Sequence, residues 1–217
     1  MQVEFLATPA QRRRLKVRER ILSAAEDVFA QEGSDGLSIR RLAKDIDYSP
    51  AAIYKYFGSK DELLFELNET FFAKILHQVH GVADCTAPFG ERIRACVAGY
   101  IRIAVEKPHH YSAAFSGQLC DTGSCKRDVG FEDSNKGLAF LVLKSIVQEG
   151  IDTGALRSDI DASVAAKSIW CSTHGLAMMF IYIPDFPVLE PDIDAMPGDA
   201  FIDWHADTIV RGLEGKA

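Results

Sequence analysis

The stretch from Ser38 to Phe57 constrains the fold most, because it reads as two short helices joined by a tight turn. Ser49 and Pro50 open the second helix, since Ser accepts hydrogen bonds from free helix amides and Pro is pre-set for a first helical turn. Ile53 and Phe57 lie four residues apart and can face inward together. The pattern predicts a helix-turn-helix.

The charge of the chain divides at Lys60. The residues up to Lys60 contain 11 Lys and Arg against 8 Asp and Glu, a balance of +3, and the remainder contains 13 against 23, a balance of -10, which together give the net charge of -7. The basic N-terminal part suits a polyanion, and the acidic remainder should keep away from one.

A basic amphipathic helix is predicted between an N-terminal arm and the helix-turn-helix. Arg12, Arg13 and Arg14 open this helix, although cations at a helix amino terminus oppose the helix dipole. Contact with phosphate would explain these arginines, and a solvated helix start is the alternative. Gly33 and Gly36 bracket Ser34 and Asp35 and are expected to end the helix, with Gly33 as a left-handed cap.

Beyond Phe57 every strong signal is helical. Ser59 and Glu62 predict a capping box that opens a long helix. Two further helices are expected to begin after Pro88 and at Pro108, and a third is expected to end at Gly150 or Gly154. Two more should run from Asp161 to about Ile183 and from Ala200 to about Leu213. With no convincing strand, the predicted fold class is all-α, with a three-helix N-terminal domain over residues 1–60 and a larger helical domain over residues 61–217.

No part of the sequence predicts membrane insertion or secretion. The longest apolar run, Leu176 to Ile183, is shorter than the roughly 20 residues that a membrane helix needs. Glu4 precedes every basic residue, unlike in a secretion signal. The five cysteines are odd in number and irregularly spaced, which fits reduced thiols better than a disulfide framework. A cytoplasmic location is therefore expected.

The chain up to about Leu64 resembles the DNA-binding domain of the TetR family of bacterial transcription regulators. The matching features are Arg-x-x-Ile-Leu-x-Ala-Ala with Phe29 and Gly33, then Leu37-Ser38-Ile39-x-x-Leu42-Ala43, and Ser49-Pro50-Ala51-Ala52-Ile53-Tyr54-x-Tyr56-Phe57-x-Ser59-Lys60-Asp61-Glu62-Leu63-Leu64. The resemblance implies a homodimer whose N-terminal helices bind double-stranded operator DNA and whose helical body dimerises and binds a small-molecule effector. It further implies a repressor that the effector releases from a palindromic operator; no cofactor is expected.

Two further features bear on this resemblance. Trp170-x-x-x-His174-Gly175 resembles the Trp-His-Gly signature of one subfamily of TetR-type C-terminal domains. In the turn, Ile46-Asp47-Tyr48 stands where the family usually has Ala-Gly-Val. Because Asp tolerates the left-handed conformation better than most residues, the turn is expected to form at some cost.

The resemblance implies a set of DNA-contacting residues. Cations and hydroxyl groups would position the protein on phosphates, and Ala51, Ala52 and Lys55 would face the bases of the major groove. For Tyr54 and Tyr56 the alternative is aromatic packing under the motif. The full set is Arg14, Arg18, Ser38, Arg40, Tyr48, Ser49, Ala51, Ala52, Tyr54, Lys55, Tyr56 and Lys60.

A second set of residues is expected to line the effector pocket. Trp170, His174 and Met178 follow one another at four-residue spacing and form one helix stripe, for which core or dimer packing is the alternative. The full set is Phe72, Tyr100, Tyr111, Phe115, Phe140, Trp170, His174 and Met178. The acidic body favours a cationic or neutral ligand over an anion.

Three alternatives remain open. A metal or thiol sensor could use His77, His80 and Cys85, or Cys120 and Cys125, but neither set has a recognised metal-ligand spacing, so no metal site is expected. A helical enzyme is disfavoured, since the sequence contains no nucleophile elbow, phosphate-binding Gly-rich loop or paired catalytic carboxylates. A helical adaptor without DNA binding is disfavoured by the basic N-terminal part.

Overall fold

The computed structural model describes residues 8–83, 86–115, 130–183, 185–188 and 196–214. These residues form the helices α1 (Pro9–Gly36), α2 (Ile39–Asp45), α3 (Pro50–Ile53), α4 (Lys60–Ala83), α5 (Phe89–Glu106), α6 (Pro108–Phe115), α7 (Asn135–Asp152), α8 (Ala162–Tyr182) and α9 (Gly198–Leu213), with a 3-10 turn at Phe131–Asp133. Within these ranges no strand occurs, only an isolated bridge between Leu156 and Glu214. The predicted all-α fold class is confirmed.

The chain divides into two compact units. The first comprises the described residues up to Phe71 together with those from His109 to Phe115, and the second comprises Phe72–Pro108 and the described residues from Gly130 onward. The first unit therefore extends beyond the predicted limit at residue 60 and is discontinuous in sequence. None of the helices in the described ranges is long and apolar enough to cross a membrane.

The first unit is built on one apolar core. Its largest fully buried members include Ile21, Phe29, Leu42, Ile53 and Phe57. These residues come from α1, α2 and residues 50–57, which comprise α3 with the turn that follows it and are called the α3 segment. Their burial at the predicted helical spacing holds the helix-turn-helix against the basic first helix.

Helix α1 begins earlier than expected and contains a sharp irregularity. The Thr8 hydroxyl accepts from the Gln11 amide at 3.3 Å, and the Gln11 side-chain oxygen accepts from the Thr8 amide at 2.7 Å, which completes a capping box. At Gly33 the backbone adopts φ +67° and ψ -160°, so the predicted left-handed φ is present, but helical structure continues to Gly36. Only glycine adopts this combination of angles readily.

The unusual turn after α2 forms a Schellman motif. Asp47 has a φ of +59°, as expected for the residue that replaces glycine there. The Tyr48 amide donates to the Ala43 carbonyl at 2.8 Å, and the Asp47 amide donates to the Lys44 carbonyl at 3.3 Å. The turn therefore satisfies two carbonyl groups at the end of α2 without glycine.

The start of α4 follows the predicted capping pattern only in part. The Ser59 hydroxyl accepts from the Glu62 amide at 3.0 Å, as predicted. The Glu62 carboxylate accepts from the amide of Gly58 at 2.7 Å, one residue ahead of the position in a standard capping box.

In the second unit α5 packs against α7, α8 and α9, and α7 packs against α8. The Arg92 side chain is only 6% exposed and binds the Glu149 carboxylate through two hydrogen bonds of 2.6 and 2.9 Å. These bonds hold the pKa of the Glu149 carboxyl below its usual value. Asp161 caps α8 by accepting from the Val164 amide at 2.9 Å, as predicted.

Candidate nucleic-acid interface and ligand pocket

The two short helices of the helix-turn-helix are each fixed by a serine. The Ser38 hydroxyl accepts from the Arg41 amide at 3.2 Å, and the Ser49 hydroxyl accepts from the Ala52 amide at 3.1 Å. Ile53 is completely buried, as the four-residue pattern predicts. Both serines thus have a structural role as helix caps, whether or not they also contact phosphate.

The opposite face of α3 and its following turn is open. Ala51, Tyr54 and Lys55 are exposed, Tyr54 to 51%, while Ala52 is half-buried. The Phe57 amide donates to the Ile53 carbonyl at 3.0 Å, which holds this segment against the core. The sequence therefore places two short side chains, one phenol and one ammonium group on a rigid outer face.

A cationic concavity adjoins this face. Arg13 and Arg14 of α1 line it together with Lys55 and Tyr56 of the α3 segment. Three cations beside a phenol hydroxyl match the groups that bind DNA phosphates. Arg13 lies outside the predicted set of DNA-contacting residues, although the Arg12-Arg13-Arg14 run contains it.

Several predicted contact residues also have partners inside the first unit. Arg18 forms an ion pair with Glu66, and Tyr48 and Tyr56 pack partly against the apolar core. The Lys60 ammonium donates to the Ser34 carbonyl at 2.7 Å. The alternative of aromatic packing therefore applies to Tyr56, which also lines the concavity, and not to the exposed Tyr54.

The two neighbouring arginines of α2 differ. Arg41 donates to the Glu32 carboxylate at 2.7 Å, and this pairing lowers the pKa of Glu32 and raises that of Arg41. Arg40 is exposed and makes no ion pair among the residues that the structure describes. Arg40 is thus the arginine of this pair that can reach a phosphate.

The second unit contains an apolar cavity of about 50 Å³ between α4, α5, α7 and α8. The Trp170 indole donates to the Tyr100 hydroxyl at 3.2 Å, and the Phe140 and Trp170 ring centres are 5.7 Å apart. The residues that line the cavity are Phe72, Ile75, Val79, Cys96, Val97, Tyr100, Lys136, Ala139, Phe140, Leu143, Ile169, Trp170 and Thr173. Four of the eight predicted pocket residues, Phe72, Tyr100, Phe140 and Trp170, are therefore brought together.

The other four predicted pocket residues lie elsewhere. Tyr111 is completely buried in the first unit, with its ring centre 5.0 Å from that of Phe115. His174 and Met178 are half-buried on α8 but do not line the cavity, and burial lowers the pKa of His174. The predicted stripe thus divides, because only Trp170 points to the cavity.

Sequence reasoning missed Lys136, which lines the cavity with its ammonium nitrogen 5.5 Å from the centre of the Phe72 ring. Lys136 precedes Phe140 by four residues on α7, so helical spacing from Phe140 could have found it.

The structure describes only some of the histidines and cysteines that a metal or thiol sensor could use. His77 and His80 are exposed on α4, Cys96 is buried and Cys171 is exposed. Across the described ranges, no group of three or more His, Cys, Asp and Glu side chains could hold a metal ion. Cys85, Cys120 and Cys125 lie outside the described residues.

The geometry of the first unit agrees with its match to a known family. The family described as "Bacterial regulatory proteins, tetR family" matches residues 21–67, which include α2, the Schellman turn, α3 and the start of α4. Residues 21–67 of the chain therefore belong to the TetR family. The Trp-His-Gly subfamily stays a prediction.

Individual relatives support this membership. An uncharacterised helix-turn-helix regulator of Haemophilus influenzae is 37% identical over 76 residues, which span 35% of this chain and 41% of that protein. The transcriptional repressor NicS of Pseudomonas putida is 26% identical over 207 residues, 91% of this chain and 92% of NicS.

Two solved structures share the fold of this chain. A Rhodococcus protein of unknown function has a TM-score of 0.74 at 22% identity, over 99% of this chain and 100% of that one. The regulator FadR from Bacillus subtilis, in complex with stearoyl-CoA, has a TM-score of 0.64 at 16% identity, over 90% of this chain and 99% of FadR. At these identities the likeness concerns the fold alone.

Proposed function

We propose that this TetR-family chain is a homodimeric transcriptional repressor that leaves a palindromic operator when a small molecule enters the cavity of the second unit. The outer face of the α3 segment carries this proposal, since Ala51, Tyr54 and Lys55 are exposed while Ile53 and Phe57 are fully buried. The repressor NicS, 26% identical over 91% of this chain, supports the same class of function.

At the DNA end, the proposed roles separate by chemistry. The cations of the concavity, Arg13 and Arg14, would neutralise phosphates and supply affinity that does not depend on sequence. Ala51 and Lys55 would discriminate bases, the alanine methyl against thymine methyl groups and the ammonium against guanine acceptors. Tyr54 would hold a flanking phosphate.

The proposed dimer is supported by large apolar side chains on the surface of the second unit. Val164, Met179 and Tyr182 of α8 are 64%, 38% and 52% exposed, and Trp204 of α9 is 54% exposed. Exposed apolar side chains are typical of a surface that meets a partner when they adjoin one another, and α8 and α9 are linked by the hydrogen bond of 3.1 Å between Ser172 and His205. A symmetric dimer would require an operator with two inverted half-sites.

The small cavity suggests how an effector could act. Its volume of about 50 Å³ is far below the roughly 300 Å³ or more of a usual ligand pocket. A ligand would therefore have to displace wall side chains such as Phe140 and Trp170. A ligand that fits only the opened cavity would bind the opened state more tightly than the closed one. This difference in affinity is what shifts a conformational equilibrium.

The direct test is binding of the full chain to the DNA upstream of its own gene, measured by gel shift and footprinting. We expect protection of two inverted half-sites separated by whole helical turns. Protection of a single half-site would contradict the dimeric arrangement, and no binding above that to unrelated DNA would contradict the regulator itself.

Two variants separate the proposed DNA roles. Lys55→Ala should change sequence preference, whereas Lys60→Ala should weaken binding to all sequences and reduce the slope of log affinity against log salt by about 0.9. Lys60 would use one donor on the Ser34 carbonyl and the others on phosphate. An unchanged salt slope would leave Lys60 with its structural role only.

A further inference from the structure

The charge of the second unit and the charge of its cavity differ. Among the described residues that line the cavity, Lys136 alone carries a formal charge. The remaining wall is aliphatic and aromatic, with the polar groups of Cys96, Tyr100 and Thr173. The acidic sequence of the body predicts a cationic or neutral ligand, but the wall that a ligand would touch carries a positive charge.

The uncharged polar groups of the wall take part in internal hydrogen bonds. The Tyr100 hydroxyl accepts from the Trp170 indole at 3.2 Å, and the Thr173 hydroxyl donates to the Ile169 carbonyl at 2.7 Å. These bonds fix the two side chains on the wall, so they can orient a ligand but contribute no charge to its recognition.

Lys136 is well placed to hold an anion. It lies in the first turn of α7, an 18-residue helix whose amino end carries a partial positive charge. Its ammonium group faces the Phe72 ring, with the nitrogen 5.5 Å from the ring centre. An ammonium group has three donor hydrogens and can bind a carboxylate through a charge-assisted hydrogen bond while it keeps its contact with the Phe72 ring.

We propose that the effector is a molecule with an apolar body and one carboxylate group, and that Lys136 binds the carboxylate. The inference rests on the proposed function, because it names the ligand class of the same cavity. The apolar body would replace wall contacts around Phe140 and Trp170. The lysine methylene groups would remain against the apolar wall while the ammonium binds the anion.

The test is calorimetric titration of the full chain with two matched pairs of probes. Decanoate and decan-1-ol share an aliphatic body, and 4-butylbenzoate and 4-butylbenzyl alcohol share an aromatic one. We expect at least one carboxylate to bind more tightly than its alcohol, and the pair that responds identifies the body as aliphatic or aromatic. Failure of both carboxylates to bind, or alcohols that bind as tightly, would overturn the proposal.

Variants of Lys136 assign the effect to this side chain. Lys136→Gln should weaken binding of the carboxylate about 10- to 100-fold, the usual range for a hydrogen bond to a charged group, and leave the alcohol unchanged. Lys136→Arg, which keeps the charge, should retain most of the affinity. The matched control is Lys144→Gln on the same helix, since Lys144 lies outside the cavity wall and should have no effect.

Tryptophan fluorescence provides a second measurement. The chain has two tryptophans, so Trp204→Phe leaves Trp170 of the cavity wall as the single reporter. Carboxylate binding should change its emission in a saturable way, and no change would contradict occupancy of this cavity. Equal loss of carboxylate and alcohol binding in Lys136→Gln would also overturn the proposal, because it would indicate a damaged cavity.

The ligand proposal and the proposed function fail in different ways. Lys136→Gln without ligand should bind upstream DNA as the wild type does, because the substitution lies outside the first unit. If the wild type binds the carboxylate but no upstream DNA, the regulator proposal fails and the ligand class stands. If it binds DNA but no carboxylate, the ligand class fails alone.

Discussion

Arg18 and Glu66 form an ion pair of 2.6 Å that joins α1 to α4 within the first unit. The Arg18 guanidinium also lies 4.8 Å from the centre of the buried Phe57 ring. Arg14, one turn earlier on α1, is exposed and lines the cationic concavity. Two arginines of the same helix therefore differ in role, with Arg18 suited to stabilising the fold and Arg14 to binding DNA.

Arg18→Ala should lower the free energy of unfolding by about 1–2 kcal/mol, because it removes a partly buried ion pair and a cation–π contact. Thermal unfolding measures this loss. Arg14→Ala is the matched control, and it should leave stability unchanged while reducing the salt slope of DNA binding by about 0.9. If Arg14→Ala destabilised the protein as much as Arg18→Ala, the proposed division of roles would be wrong.

Asp47→Gly should stabilise the protein by up to about 1 kcal/mol. Asp47 has a φ of +59°, and glycine adopts this conformation without the steric cost that other residues incur. Asp47→Val should destabilise, since a β-branched residue is least compatible with this φ. Chemical denaturation of the three proteins compares them, and a less stable glycine variant would show that the Asp47 side chain itself contributes to the turn.

Gly33→Ala should destabilise the first unit by about 1–3 kcal/mol, because its φ and ψ lie in a region nearly restricted to glycine. An added Cβ would also lie 3.1 Å from the Nδ1 atom of His109. Gly154→Ala is the control, since Gly154 also has positive φ, +75°, but has open space around it. Thermal unfolding of both variants should show the larger loss for Gly33→Ala; equal losses would indicate that neither the ψ of Gly33 nor crowding by His109 adds to the cost of a positive φ.

Stability should fall as the pH decreases through the usual pKa of histidine, about 6.5. Burial lowers the pKa of His174 and of His205, with a hydrogen bond to Ser172 partly opposing it for His205. In this range the unfolded chain binds more protons than the folded one, so protonation favours unfolding, and the loss levels off below the lowered folded pKa values.

Melting temperatures between pH 8 and pH 5 test this expectation, with His174→Gln/His205→Gln as the comparison. The double variant should show a flatter profile above pH 5. The carboxyl groups with lowered pKa values, including Glu149, lose their contribution only below the usual carboxyl pKa of about 4.5. An unchanged slope in the double variant would assign the pH dependence to other groups.

The local architecture was accessible from the sequence because caps and helical spacing are short-range features. Ser49 and Asp161 cap their helices, and Ile53 and Phe57 are buried, as the sequence pattern predicts. The same patterns place Tyr100 and Trp170 on helices that line one cavity. These predictions required only that residues three or four apart share a helix face.

The remaining features depend on which helices pack together. The spacing of residues within one helix does not determine that packing. The sequence cannot show that Lys60 reaches Ser34, 26 residues away, or that Arg18 meets Glu66. Nor does it show that Tyr111 belongs to the first unit and Trp170 to the second. Long side chains with several possible partners are therefore the ones whose roles the sequence predicts least well.

The packing of α6 sets a limit on how this protein can be divided for engineering. The His110 ring centre lies 4.9 Å from that of Phe29, and the Tyr111 ring centre lies 6.1 Å from that of Phe71. A fragment that ends at residue 60 would remove three of these four rings and leave Phe29 uncovered on that side. A chimaera that grafts this DNA-binding unit onto another body must therefore carry the inner face of α6 with it, since the module is contiguous in space and interrupted in sequence.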